Sequence, residues 1–412
     1  MKYVIIGNSA AAIGAVQGIR ETDKEGGITI ITDEPHHTYS RPLISYWLEG
    51  KVADDKMYYR DKDFYKDNNV EVLYSRRAEK IGKTSVTLDG GEKVKYDKLL
   101  VATGSKPFVP PMKGLDKVKN QFTFMTWDSA KAIKKKVKKN TKVLIIGAGL
   151  IGLKAAEALY HLNADITVVD LADRILPSIL DVRAGEIMQK HIESKGTKFI
   201  LNASVEEFSA SSAKLTNGET VDFDILIVAV GVRPNTELVS EAGGKVDRGI
   251  ITDDTQQTTI KNVYAAGDCT VSHDCSSGTD KILALLPNAF MQGEIAGKNM
   301  AGNEAHYQNA IPMNAIGFYG LHIITAGSYD GEEFVEEDAQ KEQYKKLVFK
   351  DGLLKGFILM GDVARAGIYT SMIKERIPLD NVDVELLKDR PQMMMFGRQR
   401  RLEKLGGITV KE

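Results

Sequence analysis

The chain has 412 residues, 55 lysines and arginines against 56 aspartates and glutamates, a formal net charge of −1 and 43% hydrophobic residues. This is enough for a globular protein of two or three domains, and near-neutral charge argues against a nucleic-acid binder. No apolar run reaches the roughly 18 residues of a membrane span, a glycine turn interrupts the apolar start where a signal peptide would continue, and two cysteines are too few for a disulfide framework, so a cytoplasmic protein is expected.

In chain order, "KYVIIGNSAAAIGA" at 2–15 predicts a strand turning through Gly7, Ser9 and Ala12 into a helix that includes Ala10. "ITIITDE" at 28–34 predicts a second strand ending in the acids Asp33 and Glu34. His36 and His37 are adjacent, so they point in different directions and read as surface or loop residues; the seven histidines form no metal-ligand pattern. "YDKLLVATGSKP" at 96–107 closes this stretch on a strand with Ala102, Thr103 and Gly104. In the lysine run "KAIKKKVKKN" at 131–140, Ala132, Ile133 and Val137 recur at helical spacing, which reads as a solvated helix face.

The pattern then starts again. "KVLIIGAGLIGLKA" at 142–155 sets Gly147, Gly149 and Gly152 where Gly7, Ser9 and Ala12 stood, with Leu150 and Ile151 inside the motif. "ITVVDLAD" at 166–173 supplies Asp170, and "FDILIVAVGVRP" at 223–234 supplies Gly231. Three matched segments in one order predict two related βαβ nucleotide-binding units, a doubly wound α/β architecture. The spacing lets a strand turn tightly into a helix whose first amides point at a pyrophosphate, with small residues admitting the backbone. Asp170 would accept hydrogen bonds from ribose hydroxyls and repel a 2′-phosphate, favouring NAD(H), a preference that Arg174 nearby tempers. The first copy, with serine and alanine for two glycines, is ambiguous alone.

"TTIKNVYAAGDCT" at 258–270, ending in Gly267-Asp268, resembles the second FAD fingerprint of the pyridine nucleotide-disulfide oxidoreductase superfamily, and the resemblance covers roughly residues 1–305. It implies two Rossmann-like domains arranged as in glutathione reductase, with FAD on the first copy and NAD(H) on the second. The implied divisions are 1–112 and 239–305 for the FAD domain, 113–238 for the NAD domain and 306–412 for a small α+β domain. The implied FAD contacts are Gly7, Ser9, Ala10, Ala12, Asp33, Glu34, Arg41, Pro42, Ser45, Ala78, Ala102, Thr103, Gly104, Gly267 and Asp268. Pro287, Asn288 and Ala289 join them at the start of the helix "LPNAFMQGEIAGKNMAG", whose positive dipole end would stabilise an anionic reduced flavin. Gly147, Gly149, Leu150, Ile151, Gly152, Asp170 and Gly231 are the implied NAD(H) contacts.

"YSRPLISYWLEG" at 39–50 resembles the "RPPLSK" segment of ferredoxin and rubredoxin reductases, matching at Arg41, Pro42 and Ser45. Pro42 stands about where NADH oxidases and peroxidases carry a cysteine, so no thiol relay is expected there; Cys269 reads as a buried filler and Cys275 as part of a polar loop. "LKGFILMGDVARAGIYTSMI" at 354–373 is similar to the third domain of NADH:rubredoxin reductases and of NirB-type nitrite reductases. The resemblance implies hydride exchange between NADH and FAD, then single-electron exchange with a small iron-sulfur or rubredoxin-like carrier protein. The alternatives are an NADH oxidase or peroxidase and a flavoprotein whose NADH-dependent state gates binding to a protein partner. No metal site, nucleic-acid partner or membrane partner is expected, and homo- or hetero-oligomerisation stays open.

Arg398, Arg400 and Arg401, beside Met393, Met394, Met395 and Phe396, offer a docking site for an acidic carrier or, equally, a helix anchored through its methionines. In the resembling reductases a glutamate on the second unit's helix reaches the nicotinamide and flavin, and the lysine that ends "RPPLSK" can pair with it. Here Lys154 and Tyr46 stand at those places. Lys154 is therefore expected to donate a hydrogen bond to the nicotinamide carboxamide or flavin N5, the alternative being that it turns toward Glu157 or solvent.

Overall fold

Short apolar runs buried on both faces form the centre of two parallel sheets. In the computed structural model, which describes residues 1–398 and 400–402, both sheets belong to one compact unit made of Met1–Ser272 and Lys281–Gln308. The first contains β1 (Lys2–Ile6), β2 (Gly27–Ile31), β3 (Val70–Leu73) and β4 (Lys98–Val101). The second contains β5 (Gln121–Phe122), β6 (Lys142–Ile146), β7 (Asp165–Val169), β8 (Lys198–Ile200) and β9 (Ile225–Val228). The chain then returns to add β10 (Val263–Ala265) to the first sheet, so the strand orders are β10-β4-β1-β2-β3 and β8-β7-β6-β9-β5. Every pairing in both is parallel.

The repeat read in the sequence recurs bond for bond. The Gly7 amide donates to the Ile31 carbonyl at 2.8 Å and the Gly147 amide to that of Val169 at 2.8 Å; Thr32 donates to Leu73 and Asp170 to Ile200, both at 3.1 Å. Helix α1 (Ala10–Thr22) follows β1, and α4 (Leu150–Tyr160) follows β6; between them lie α2 (Leu43–Glu49) and α3 (Trp127–Lys136). Where the two copies meet, Ser105–Pro107 pairs antiparallel with Val232–Pro234. This crossing is nearly symmetric: Phe108 donates to the Gly231 carbonyl and Asn235 to that of Gly104, each at 2.9 Å.

Helix α5 (Leu286–Met300), from the returning segment, packs backbone to backbone on α1. An added Cβ at Gly293 would lie 1.9 Å from the Ala11 carbonyl oxygen, and one at Gly14 would lie 2.2 Å from that of Phe290. No side chain fits between the helices at these points.

The second compact unit comprises His273–Asp280 and Asn309–Glu412. It begins a few residues later than the sequence boundary of 306 and also takes in the loop 273–280. Its sheet is antiparallel, ordered β11-β12-β15-β14-β13, from β11 (Met313–Phe318), β12 (Leu321–Gly327), β13 (Glu332–Asp338), β14 (Gln343–Lys350) and β15 (Leu353–Met360). Helix α6 (Ala366–Lys374) contributes Tyr369, Met372 and Ile373 to a core with Leu347, Phe357 and Leu359. Met395 and Phe396 are buried in that core and Met393 packs at its edge, whereas Met394 is 66% exposed. Cys275 also sits there, which corrects the polar-loop reading: Asp274 accepts the Ser276 and Ser277 hydroxyls, and the Cys275 amide is tied to the Ala310 carbonyl at 2.9 Å. No described helix is long and apolar enough to cross a membrane.

Gly293→Ala should lower the melting temperature of the protein, since overpacking of this kind costs about 1–3 kcal/mol; an unchanged thermal melt would show that α1 and α5 can separate freely.

Candidate functional site

The loop between β6 and α4 separates glycines the fold needs from one it does not. A Cβ at Gly147 (φ +111°) would sit 2.4 Å from the Ala229 carbonyl oxygen, and one at Gly152 2.0 Å from that of Gly147. A Cβ at Gly149 would meet nothing within 4 Å. That open approach faces the start of α4, where Gly149 is the N-cap, offers no side chain, and Leu150 and Ile151 begin the helix. This is the cradle a pyrophosphate needs. Asp170 fastens the loop: one carboxylate oxygen accepts from the Ala148 amide at 2.6 Å, the other from the Ala172 amide at 2.7 Å. Gly231 (φ +118°) lies beyond the neighbouring strand β9, again in open space.

The β1–α1 loop is built alike. A Cβ at Gly7 (φ +112°) would come 2.1 Å from the Ala102 carbonyl oxygen, and Ser9 caps α1 with no side-chain hydrogen bond, leaving the first-turn amides of Ala10 to Ala12 uncapped. The registers correct one sequence expectation. Thr32, not Asp33 or Glu34, occupies the place that Asp170 holds in the second copy, because β2 and β7 match with Ile31 opposite Ile6 and Val169 opposite Ile146. Asp33 is exposed, and Glu34 forms an ion pair with Arg41 while accepting the Tyr39 hydroxyl at 2.7 Å. Pro42 caps α2, and the buried Ser45 hydroxyl donates back to its carbonyl at 3.3 Å. Ala78 begins a strand just past Arg76, whose amide donates to the Thr32 carbonyl at 2.9 Å.

Residues that the motifs did not mark hold these loops in shape. The Thr103 hydroxyl donates to the Asn235 carbonyl at 2.8 Å, and the Asn235 side-chain amide donates back to the Thr103 carbonyl at 2.9 Å, clamping the Ala102-Thr103-Gly104 turn. Tyr65 donates to the Asn8 side chain at 2.5 Å, inside the first glycine loop. Buried Gln292 on α5 accepts from the Gly267 amide at 2.9 Å and donates to the Ser272 hydroxyl at 2.7 Å, fixing the Gly267-Asp268 turn. Asp268 accepts the Ser105 hydroxyl at 3.3 Å; burial pushes its carboxyl above the ordinary 3.8, against the opposing pull of Ser105 and Arg41. Pro287 lies in the first turn of α5, Ala289 donates to the Leu285 carbonyl, and buried Asn288 accepts the Tyr307 hydroxyl at 2.8 Å.

A polar seam lines α2 against α4. The Lys154 ammonium donates to Glu157 at 2.6 Å, reaches the Tyr46 hydroxyl at 3.5 Å and lies 4.8 Å from the Tyr46 ring centre. The orientation toward Glu157 is thus present, and the side chains of Lys154 and Glu157 are only 14% and 9% exposed. Farther along, Glu49, 3% exposed, meets His161 at 2.7 Å and pairs with Lys51. His36 and His37 are loop residues within an aromatic cluster rather than free surface groups: His36 packs on Trp127 and Tyr39 and pairs with Asp128 at 2.9 Å, and His37 packs on Tyr58 and Tyr65. Both cysteines are free thiols; Cys269 is wholly buried, and burial pushes it up to about 11. Among the described residues, no three His, Cys, Asp or Glu side chains come together as a metal site.

Two glycine-rich strand-to-helix loops of one design in a single α/β unit, the first with a returning Gly-Asp turn, are the architecture of a protein for two dinucleotides. Residues 1–293 match the pyridine nucleotide-disulphide oxidoreductase family model and residues 312–377 the rubredoxin NAD+ reductase C-terminal domain. The chain is 34% identical over 391 residues, 92% of each chain, to the epsilon subunit of NADH-dependent phenylglyoxylate dehydrogenase of Aromatoleum evansii. It is 32% identical over 387 residues to the nitrite reductase [NAD(P)H] of Bacillus subtilis, covering 91% of this chain but spanning about half of that relative, 47%. The crystal structure of NADH:rubredoxin oxidoreductase from Clostridium acetobutylicum superposes with a TM-score of 0.75 at 26% identity, covering 95% of this chain and 99% of that one. The chain belongs to the pyridine nucleotide-disulphide oxidoreductase family. It is an FAD-dependent oxidoreductase that uses NAD(H).

If Asp268 serves the flavin, Asp268→Asn should bind FAD more weakly while the apoprotein melts no lower at neutral pH. The carboxyl is raised in the folded state, so its burial costs stability increasingly as pH rises from the unfolded value through the folded one, and asparagine removes that cost. Unchanged FAD retention in the variant would remove Asp268 from the flavin site.

Proposed function

We propose that this protein moves electrons between NADH and a small iron-sulfur or rubredoxin-like carrier protein in the cytoplasm. The observation that carries this reading is the pair of dinucleotide cradles in one unit with no thiol in the segment 39–50. When bound, FAD supplies the exchange between two-electron hydride chemistry and one-electron chemistry. The protein's own contribution is to hold and orient. Gly7, Ser9 and the uncapped start of α1 would take the flavin's pyrophosphate, Asp268 a polar group of its ribityl region, and the first turn of α5 would set a positive dipole end near the ring. Gly147, Gly149 and the start of α4 would take the nicotinamide dinucleotide, with Asp170 at its ribose. The rubredoxin reductase C-terminal match and the likeness to a rubredoxin reductase support a protein carrier as acceptor.

The purified protein should be yellow, be bleached at least about tenfold faster by NADH than by NADPH, and pass electrons to a rubredoxin over many turnovers. Equal bleaching rates would remove Asp170 as the discriminating group, and bleaching without carrier turnover would favour a protein whose reduced state only gates binding.

Lys154 would orient the nicotinamide by swinging from Glu157 to its carboxamide or to flavin N5, with Tyr46 as the neighbouring rest. Lys154→Met should then slow hydride transfer in stopped flow by roughly tenfold, about 1.4 kcal/mol of transition-state stabilisation. A variant with the wild-type hydride rate would leave the Lys154–Glu157 pair a structural one.

A further inference from the structure

The densest run of positive charge belongs to neither glycine loop. Lys131, Lys134, Lys135, Lys136, Lys138 and Lys139 fall within nine residues on α3 and the turn after it, with no acid among them. Asp128 meets Lys131 at 3.4 Å, and Lys134 reaches the Trp47 carbonyl at 3.4 Å. Among the described residues, Lys135, Lys136, Lys138 and Lys139 have no carboxylate within ion-pair distance, and all four are exposed. Like charges three and four residues apart repel, and the dipole at the helix end offsets only part of this. A surface that needed only to be wet would gain from interspersed glutamates.

This face is fastened to the flavin side of the unit. The Lys131 ammonium lies 4.0 Å from the Trp127 ring centre and that of Lys134 4.3 Å from the Trp47 ring centre; the two indoles meet edge to face at 6.1 Å. The Trp127 amide donates to the Tyr39 hydroxyl at 3.2 Å, and Tyr39 donates to Glu34, the partner of Arg41. The lysine face and the Arg41-Pro42 segment therefore form one packed block. Of the C-terminal arginines, Arg398 is exposed, whereas Arg400 pairs with Glu375 at 2.5 Å and Arg401 lies 3.1 Å from the Met394 sulfur.

We propose that the lysine face of α3 is the docking surface for a small acidic electron-carrier protein. The inference rests on the carrier reading above. A nucleic acid is the poorer fit, because one short helix covers few phosphates and the chain as a whole carries a net charge of −1. An acidic protein of carrier size needs only a patch of this extent, and complementary charge there would speed and orient the encounter.

The test uses the FAD-loaded protein, NADH and a recombinant rubredoxin of net negative charge. In Lys135→Glu/Lys138→Glu/Lys139→Glu, kcat/KM for rubredoxin at low salt should fall about tenfold or more and its decline with salt should flatten, while ferricyanide turnover and NADH bleaching stay within about twofold. If the reversed charges also impair ferricyanide turnover, the triple Lys→Gln variant is held to the same criterion. Wild-type rubredoxin kinetics in a variant with intact ferricyanide turnover overturn the docking assignment alone. A wild-type protein that does not reduce rubredoxin at all overturns the carrier reading and this inference with it. Loss of retention on heparin with unchanged rubredoxin kinetics assigns the face to a polyanion and overturns the inference as well.

Discussion

The first unit depends on one contact, the meeting of α1 and α5, which touch backbone to backbone at Gly14, Gly18, Gly293 and Gly297. These helices come from opposite ends of the unit's sequence, and their approach carries the Gly267-Asp268 turn and the start of α5 to the strand ends where the first glycine loop opens. Gly14 and Gly293 are required because a single methyl group at either would occupy the space of a carbonyl oxygen. Once the helices are seated, Gln292 can reach the Gly267 amide, and the turn that presents Asp268 is fixed from behind. A parallel sheet fed from two distant stretches of chain needs such a closure, since its strands have no hairpin to set their register.

Much of this was legible in the sequence, for a physical reason. A strand that must turn into a helix over a phosphate leaves glycines at fixed spacing, and buried parallel strands leave apolar runs, so both copies and their order could be read from pattern, while the returning Gly-Asp segment was read through its resemblance to a family fingerprint. What could not be read was side-chain geometry across long gaps in the chain. Asn235 clamps Thr103, Tyr65 holds Asn8 and Gln292 holds Gly267, and none of these pairs has a spacing that a local pattern could reveal. In the first copy two acids follow β2 closely, and only the register shows that Thr32, one residue earlier, is the counterpart of Asp170. Cys275 was misread because a polar sequence can turn inward when one aspartate collects its hydroxyls.

The seam between α2 and α4 shows how a lysine is held in a nearly buried interface. The Lys154 ammonium on α4 takes the Glu157 carboxylate from its own helix and reaches the Tyr46 hydroxyl of α2. A buried charge without a partner would be costly, and the i,i+3 carboxylate offsets that cost for lysine at position 154. Glu49, held by His161 and Lys51 farther along, balances the charges on the same interface.

The insertion of the second sheet within the first has a consequence for how the chain is made. β4 ends at Val101, and its outer neighbour β10 starts at Val263, with every strand of the second sheet lying between them in sequence. At roughly 5–20 residues per second of synthesis, the second sheet can be complete while β4 still presents an unpaired parallel edge for on the order of ten seconds or more. The later-starting unit therefore has the earlier opportunity to finish. The N-terminal sheet, first to leave the ribosome, is the one that must keep an adhesive edge from other chains until its last strand arrives.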